Sequence, residues 1–199
     1  VGMSLVSGAR PGPDSPRDAA GAPWRIAVIG AECTGKSSLC EALAARLPGL
    51  WVPEALREFC DRHGRTPRAD EQAALVAEQI ARETAAREQA RTFRCEWLVI
   101  DSSPLATALY SLELFDDDSL LPAAIAHQHG YDLTLLAGID VPWTADGIQR
   151  DGPDARASFH ARLTAVLSEA RIAHTELSGT LPSRLGAALQ AAGRPAPTV

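Results

Sequence analysis

Lysine is almost missing from this sequence. Of its 19 basic residues 18 are arginine, and the one lysine is Lys36. Where arginine serves nearly everywhere a cation is wanted, the position of the exception is informative. Long apolar runs are lacking too. None approaches the ~20 residues that a spanning helix needs, so no membrane partner is expected. The four cysteines, Cys33, Cys40, Cys60 and Cys95, include no pair at CxxC spacing. With no secretory pattern recognised, they are expected to be reduced thiols in a cytoplasmic protein. Positive charge is also short: 25 acidic residues against 19 basic ones give a net charge of −6. That balance argues against a nucleic-acid partner and leaves room for a local basic pocket that takes phosphate.

What remains is an ordinary globular composition, 46% apolar and 22% charged over 199 residues. That length can bury a full core without a disulfide or metal staple. Glycine and proline concentrate in residues 1–23 and again in 193–199, which read as a flexible extension and a flexible tail. The folded body is expected over 24–192. Within it, short apolar runs alternate with helical periodicity. Strands are expected at Arg25–Ile29, Leu50–Val52, Trp97–Ile100, Asp132–Leu136 and Ile172–Leu177. Helices are expected at Lys36–Leu47, after Pro53, at Ala69–Phe93, Pro104–Phe115, Leu120–His129, Asp154–Arg171 and Leu181–Ala192. Such alternation predicts an α/β fold, a three-layer α/β/α sandwich around a mainly parallel five-stranded sheet. Its site should lie at the carboxyl ends of the strands. That rule gathers residues 30–38, 53–58, 101–103 and 139–156 into one crevice.

The first of these segments carries the strongest signal. Gly30-Ala31-Glu32-Cys33-Thr34-Gly35-Lys36-Ser37 matches GxxxxGK[ST], with an apolar strand before it and a leucine-periodic helix after it. Glycines let the backbone curl so that successive N–H groups point at phosphate oxygens. The helix start adds its positive dipole end. This predicts a P-loop at residues 30–38, Ser38 included, with Lys36 on the β- and γ-phosphates of ATP and the Ser37 hydroxyl on Mg²⁺. Glu32 is expected to turn away from the phosphates. Cys33 reads either as an oxidation-sensitive thiol or as a small loop side chain.

The other segments leave alternatives open. Asp101 ends an apolar strand, where an acid completes a magnesium shell. Equally, Asp101, Ser102 and Ser103 before Pro104 suit a helix cap. Glu54, Arg57 and Glu58 share one helical face. They read either as a site, with a carboxylate taking a proton from an acceptor hydroxyl and an arginine clamping an anion, or as a solvated first turn. Residues 140–156 are rich in turn formers and carry Arg150 and Arg156. They predict a short lid whose guanidinium groups stabilise a transferring phosphoryl, or else an ordinary loop. His127 and His129 show no third ligand, so zinc is not expected. The fragment Leu177-Ser178-Gly179 reads only as the end of a strand.

Absences narrow the class. With Lys36 the sole lysine, no N/T-K-x-D guanine motif can exist, which argues against a GTPase. The chain is short for an AAA+ module with a helical lid domain, lacks a complete ABC signature and has no basic stripe for a helicase. A small-molecule kinase of a nucleoside-like hydroxyl fits best. A regulatory ATPase switch, or a kinase of another small alcohol, is the alternative.

These motifs resemble the NadR-like ribosylnicotinamide kinase domain family of P-loop NTPases, an AAA_28-type ATP-binding domain. The loop is similar to that family's G-x-E-S-[ST]-G-K-[ST]. Glu54-Ala-Leu-Arg57-Glu58-Phe59 is similar to its E-x-x-R-E-[FY], and Leu98-Val-Ile-Asp101-Ser-Ser103 to its I-D-T-D. Val141-Pro-Trp143 with Asp146, Gly147 and Arg150 is similar to its W-x-x-D-G-x-R. The resemblance implies transfer of the ATP γ-phosphoryl to the 5′-hydroxyl of nicotinamide riboside, in NAD biosynthesis. It implies that Lys36 and Ser37 serve ATP and magnesium and that Asp101 serves metal or substrate. Glu54, Arg57, Glu58 and Trp143 would line the acceptor side, and Arg150 would belong to the lid. Two departures stand out: Ser103 occupies the place of an Asp, and one extra residue separates Gly147 from Arg150. No HxGH signature is present, so no adenylyltransferase activity is expected of this polypeptide.

Overall fold

The computed structural model describes residues 22–143 and 152–193. The expected extension at 1–23, the centre of the expected lid and the tail at 193–199 therefore lie wholly or mostly outside the described residues. The elements run β1 (Trp24–Ile29), α1 (Lys36–Arg46), β2 (Gly49–Val52), α2 (Ala55–His63), a 3₁₀ turn (Ala69–Glu71), α3 (Gln72–Phe93), β3 (Trp97–Asp101) and α4 (Pro104–Phe115). They continue with α5 (Leu121–Gln128), β4 (Leu133–Ala137), α6 (Gly152–Glu169), β5 (Thr175–Leu177) and α7 (Leu181–Ala191). The sheet has the order β2-β3-β1-β4-β5, and every pairing is parallel.

Side-chain alternation along the strands builds the two outer layers. On one face Ala27, Ile29, Leu98, Ile100 and Leu136 pack against α4 and α6 through Leu105, Leu109, Phe159, Leu163 and Leu167. On the other face Ile26, Val28, Val99, Leu135 and Leu177 meet Leu39 and Leu43 of α1 and Leu185 and Leu189 of α7. A third, smaller cluster of Ala55, Leu56, Cys60 and Leu75 seats α2 on α3. Leu163 is fully buried in α6, away from the strand ends that form the site. Leu163→Ala should therefore cost about 2–5 kcal/mol of stability by denaturant titration.

One strand is shorter than its sequence suggests. Ile172 was expected to open β5, which begins only at Thr175. Arg171 instead adopts a left-handed φ of 56°. The Ile172 amide donates to the Leu167 carbonyl at 2.8 Å and the Arg171 amide to Ser168 at 3.0 Å. This is a Schellman closure of α6, with Ile172 as its buried apolar contact. An isoleucine that plugs a helix end and one that starts a strand look alike in sequence.

The register carries the chemistry to one edge. Val28 lies level with Asp101, and Ile29 with Leu136. The segments that follow β1, β3 and β4 thus leave the sheet side by side.

Candidate active site

The loop after β1 curls as its glycines allow. Gly30 has φ +154°, Cys33 +52° and Gly35 +76°. A β-carbon at Gly30 would sit 2.9 Å from the Ala137 carbonyl oxygen and 3.1 Å from the Ala137 β-carbon, so only glycine lets β1 pass β4 here. Gly35, left-handed, precedes the first turn of α1 with no side-chain cap, which leaves the helix N–H groups to the loop cavity. Inside the loop the Thr34 hydroxyl and the Lys36 ammonium both donate to the Ala31 carbonyl, each at 2.8 Å. Ser37 is half-buried in the first turn of α1, and Ser38 is exposed.

Across the cleft, β2 and β3 deliver the carboxylates. Glu54 holds the N-cap position of α2. Burial pushes its carboxyl above the usual range. Lys36 pulls it down and Asp101 raises it, while the Ser102 hydroxyl and Arg57 favour the charged form. Lys36, Glu54 and Asp101 thus lie within one another's field, although they come from three separate strand ends. Cys40 of α1 reports the same cluster. Its thiol is raised by burial first and then by Asp101, with Lys36 opposing, and it donates weakly to the Ile100 carbonyl at 3.9 Å.

Asp101 is 1% exposed, and its Oδ1 has no hydrogen-bond partner. Ser102 takes a left-handed φ of 67°, unusual for a non-glycine residue and characteristic of strained functional turns. Its amide is fixed to the Val28 carbonyl at 2.9 Å, and its hydroxyl faces Glu54. Ser103 occupies the N-cap of α4, with Pro104 at N1, but makes no side-chain cap. Its hydroxyl donates to the Gln128 carbonyl oxygen at 2.7 Å, and the Gln128 amide donates on to Thr134 at 3.0 Å. The capping alternative is realised in backbone position and not in side-chain bonding.

Glu58 is tied to Arg82 of α3 at 2.8 Å, and Arg57 is exposed near Glu54. The segment after β4 reaches back to the loop. The Trp143 indole donates to the Glu32 carboxylate at 3.3 Å, which draws Glu32 toward that segment. Arg150, with Asp146 and Gly147, lies outside the described residues. The helix α6 starts at Gly152, so Arg156 falls within it instead of in a loop. The Arg156 guanidinium is buried and donates to the carbonyls of Cys33, Val141 and Ile139 at 3.4, 3.1 and 3.3 Å. Sequence reasoning aimed it at phosphate; here it engages peptide oxygens.

A fifth segment belongs to the same edge, and sequence reasoning missed it. Arg184 of α7 is 3% exposed. It donates to Thr34 of the loop at 2.6 Å, to Gly138 at 3.0 Å and to Gly179 at 3.0 Å, and it pairs with Asp140 at 2.5 Å. Asp140 also accepts from the Gly179 amide. That backbone bond, ahead of Arg184, lowers its carboxyl below the usual range. The available signal was one charged residue inside the otherwise uncharged stretch Leu181–Ala191.

Residues 25–184 match the AAA_28 family, described as an AAA domain. The chain belongs to this family. This AAA domain also shares the fold of NadR. It matches a NadR protein in complex with NR at TM-score 0.64 and 20% identity, over 85% of this chain and 50% of that one. It matches a NadR protein in complex with NAD and AMP-PNP at TM-score 0.68 and 19% identity, over 85% and 48%. The domain thus spans about half the length of those NadR chains. It also matches a thymidylate kinase from Ehrlichia chaffeensis at TM-score 0.57 and 12% identity, over 80% of this chain and 90% of that one. No curated protein sequence matches. The AAA domain is therefore a P-loop α/β fold of the nucleoside- and nucleotide-kinase type. Among its described residues no helix is long and apolar enough to cross a membrane.

Proposed function

We propose that this chain is an ATP-dependent kinase of a nucleoside-like acceptor, nicotinamide riboside being the first candidate. The observation that carries the reading is the convergence of Lys36, Glu54 and Asp101 around one phosphate loop. The NadR resemblance and the kinase folds of the neighbours support it. An ammonium beside a carboxylate raised by burial, with a second, buried carboxylate oxygen left without a partner, supports a site reading.

In this reading the loop amides and Lys36 hold the triphosphate, and Lys36 exchanges the Ala31 carbonyl for phosphate oxygen. Glu54 accepts the proton of the acceptor hydroxyl as the γ-phosphoryl transfers. Ser102 orients that carboxylate, and Arg57 and Trp143 flank the acceptor side. Arg150 serves as the lid cation. Mg²⁺ fits the residues present. The Asp101 Oδ1 is a buried oxygen in want of a partner, and the Ser37 hydroxyl lies in the first turn of α1. Bound there, magnesium would neutralise charge on the β- and γ-phosphates.

The test is a panel of nucleosides with ATP and Mg²⁺. Stoichiometric ADP and a phosphorylated nucleoside are expected, with nicotinamide mononucleotide formed from nicotinamide riboside. Hydrolysis of ATP that ignores every acceptor would instead favour the regulatory switch.

A further inference from the structure

Two buried arginines, Arg156 of α6 on one face of the sheet and Arg184 of α7 on the other, grip the phosphate loop. Arg184 donates to the Thr34 carbonyl at 2.6 Å, and Arg156 to the Cys33 carbonyl at 3.4 Å. These are consecutive peptide groups. Each guanidinium also holds the segment that follows β4: Arg184 through Gly138 and Asp140, Arg156 through Ile139 and Val141.

A trans peptide carries its C=O and its N–H on opposite sides. A guanidinium that fixes the Cys33 carbonyl therefore fixes the direction of the Thr34 amide, and one that fixes the Thr34 carbonyl fixes that of Gly35. The backbone needs such help. Cys33 is left-handed without being glycine, and Gly35, also left-handed, has open space around it. We propose that Arg184 and Arg156 are positioning residues for phosphate binding. They clamp two successive carbonyls outward, so that the Thr34 and Gly35 amides are pre-aimed at the triphosphate, and they couple that aim to residues 138–141. The inference rests on the reading of residues 30–38 as an ATP-binding loop.

Calorimetric titration of ATP with Mg²⁺ into the full chain tests it, with Arg184→Gln, Arg156→Gln and Arg184→Lys beside the unaltered protein. Loss of a charged hydrogen bond to a carbonyl that must stay fixed should raise the ATP Kd about 10- to 100-fold. Arg156→Gln removes fewer contacts and serves where Arg184→Gln does not fold. Arg184→Lys keeps the charge but not the fork, so it should recover only part of the affinity. A smaller Arg184→Ala variant should regain affinity when free guanidinium ion is added at low millimolar concentration, which a general packing defect would not do. Unaltered ATP affinity in folded Arg156→Gln and Arg184→Gln overturns the inference while leaving the kinase reading intact. Absence of ATP binding by the unaltered protein overturns both.

Discussion

Lys36→Met should lower the rate of phosphoryl transfer by about 10²- to 10³-fold, the scale on which one preorganised charge donor contributes to a developing anion. Methionine preserves the unbranched stem that crosses the loop and removes only the ammonium. In the free protein that ammonium donates to a single carbonyl, Ala31, and Ala31 retains the Thr34 hydroxyl as a second donor. Its loss therefore leaves the Ala31 carbonyl satisfied and removes, besides phosphate binding, the attraction that favours the charged form of Glu54. Steady-state turnover, with calorimetric titration of ATP, checks this. Undiminished turnover in a folded Lys36→Met protein would remove the chain's sole lysine from the machinery.

Glu54→Gln should separate proton removal from nucleotide binding. A positioned general base contributes about 10²- to 10⁴-fold, and the amide cannot accept the proton. The rate should fall by that order while the ATP Kd changes little. Its pH dependence has a definite sign. Burial holds the Glu54 carboxyl above its ordinary value, so the base is lost as pH falls through that raised value. The acidic limb of the rate profile should lie above the range of an exposed glutamate and should vanish in Glu54→Gln. The linkage to stability runs the other way. A carboxyl raised on folding holds its proton more tightly in the folded state, so its contribution is fully present below the unfolded value and fades as pH rises through the folded one. At neutral pH the charged group is a burden, and Glu54→Gln should melt no lower than the unaltered protein. A marked fall in melting temperature would mean that Glu54 is structural.

Much of this was legible in the sequence because it rests on local rules. The strand-loop-helix of residues 24–46 follows from an apolar run, a glycine pattern and leucine spacing, and the three-layer arrangement follows from alternation. What escaped is long-range. Nothing within a few residues of Arg184 signals that it reaches the Thr34 carbonyl, 150 positions away. The polar trio of buried Glu83 and Tyr131 with half-buried His127, Glu83 accepting from Tyr131 at 2.8 Å, was equally opaque. Glu83 stands four residues before Arg87, the spacing of an ordinary helix-surface pair, and that spacing says nothing of Tyr131 or His127. Ser103 shows a subtler limit. Its residue type marks it as a cap, and only the fold reveals that Gln128 draws its hydroxyl away. Periodicity finds which face a residue occupies, but it does not find the partner waiting there.

The contact between Gly30 and Ala137 ties two distant codons to each other. Enlarging either side chain fills the same narrow gap between neighbouring strands, so the two positions share one allowance of volume. Drift in this lineage should therefore leave small residues at both sites together, and a larger residue at 137 should persist only where the backbone of the phosphate loop has itself moved aside.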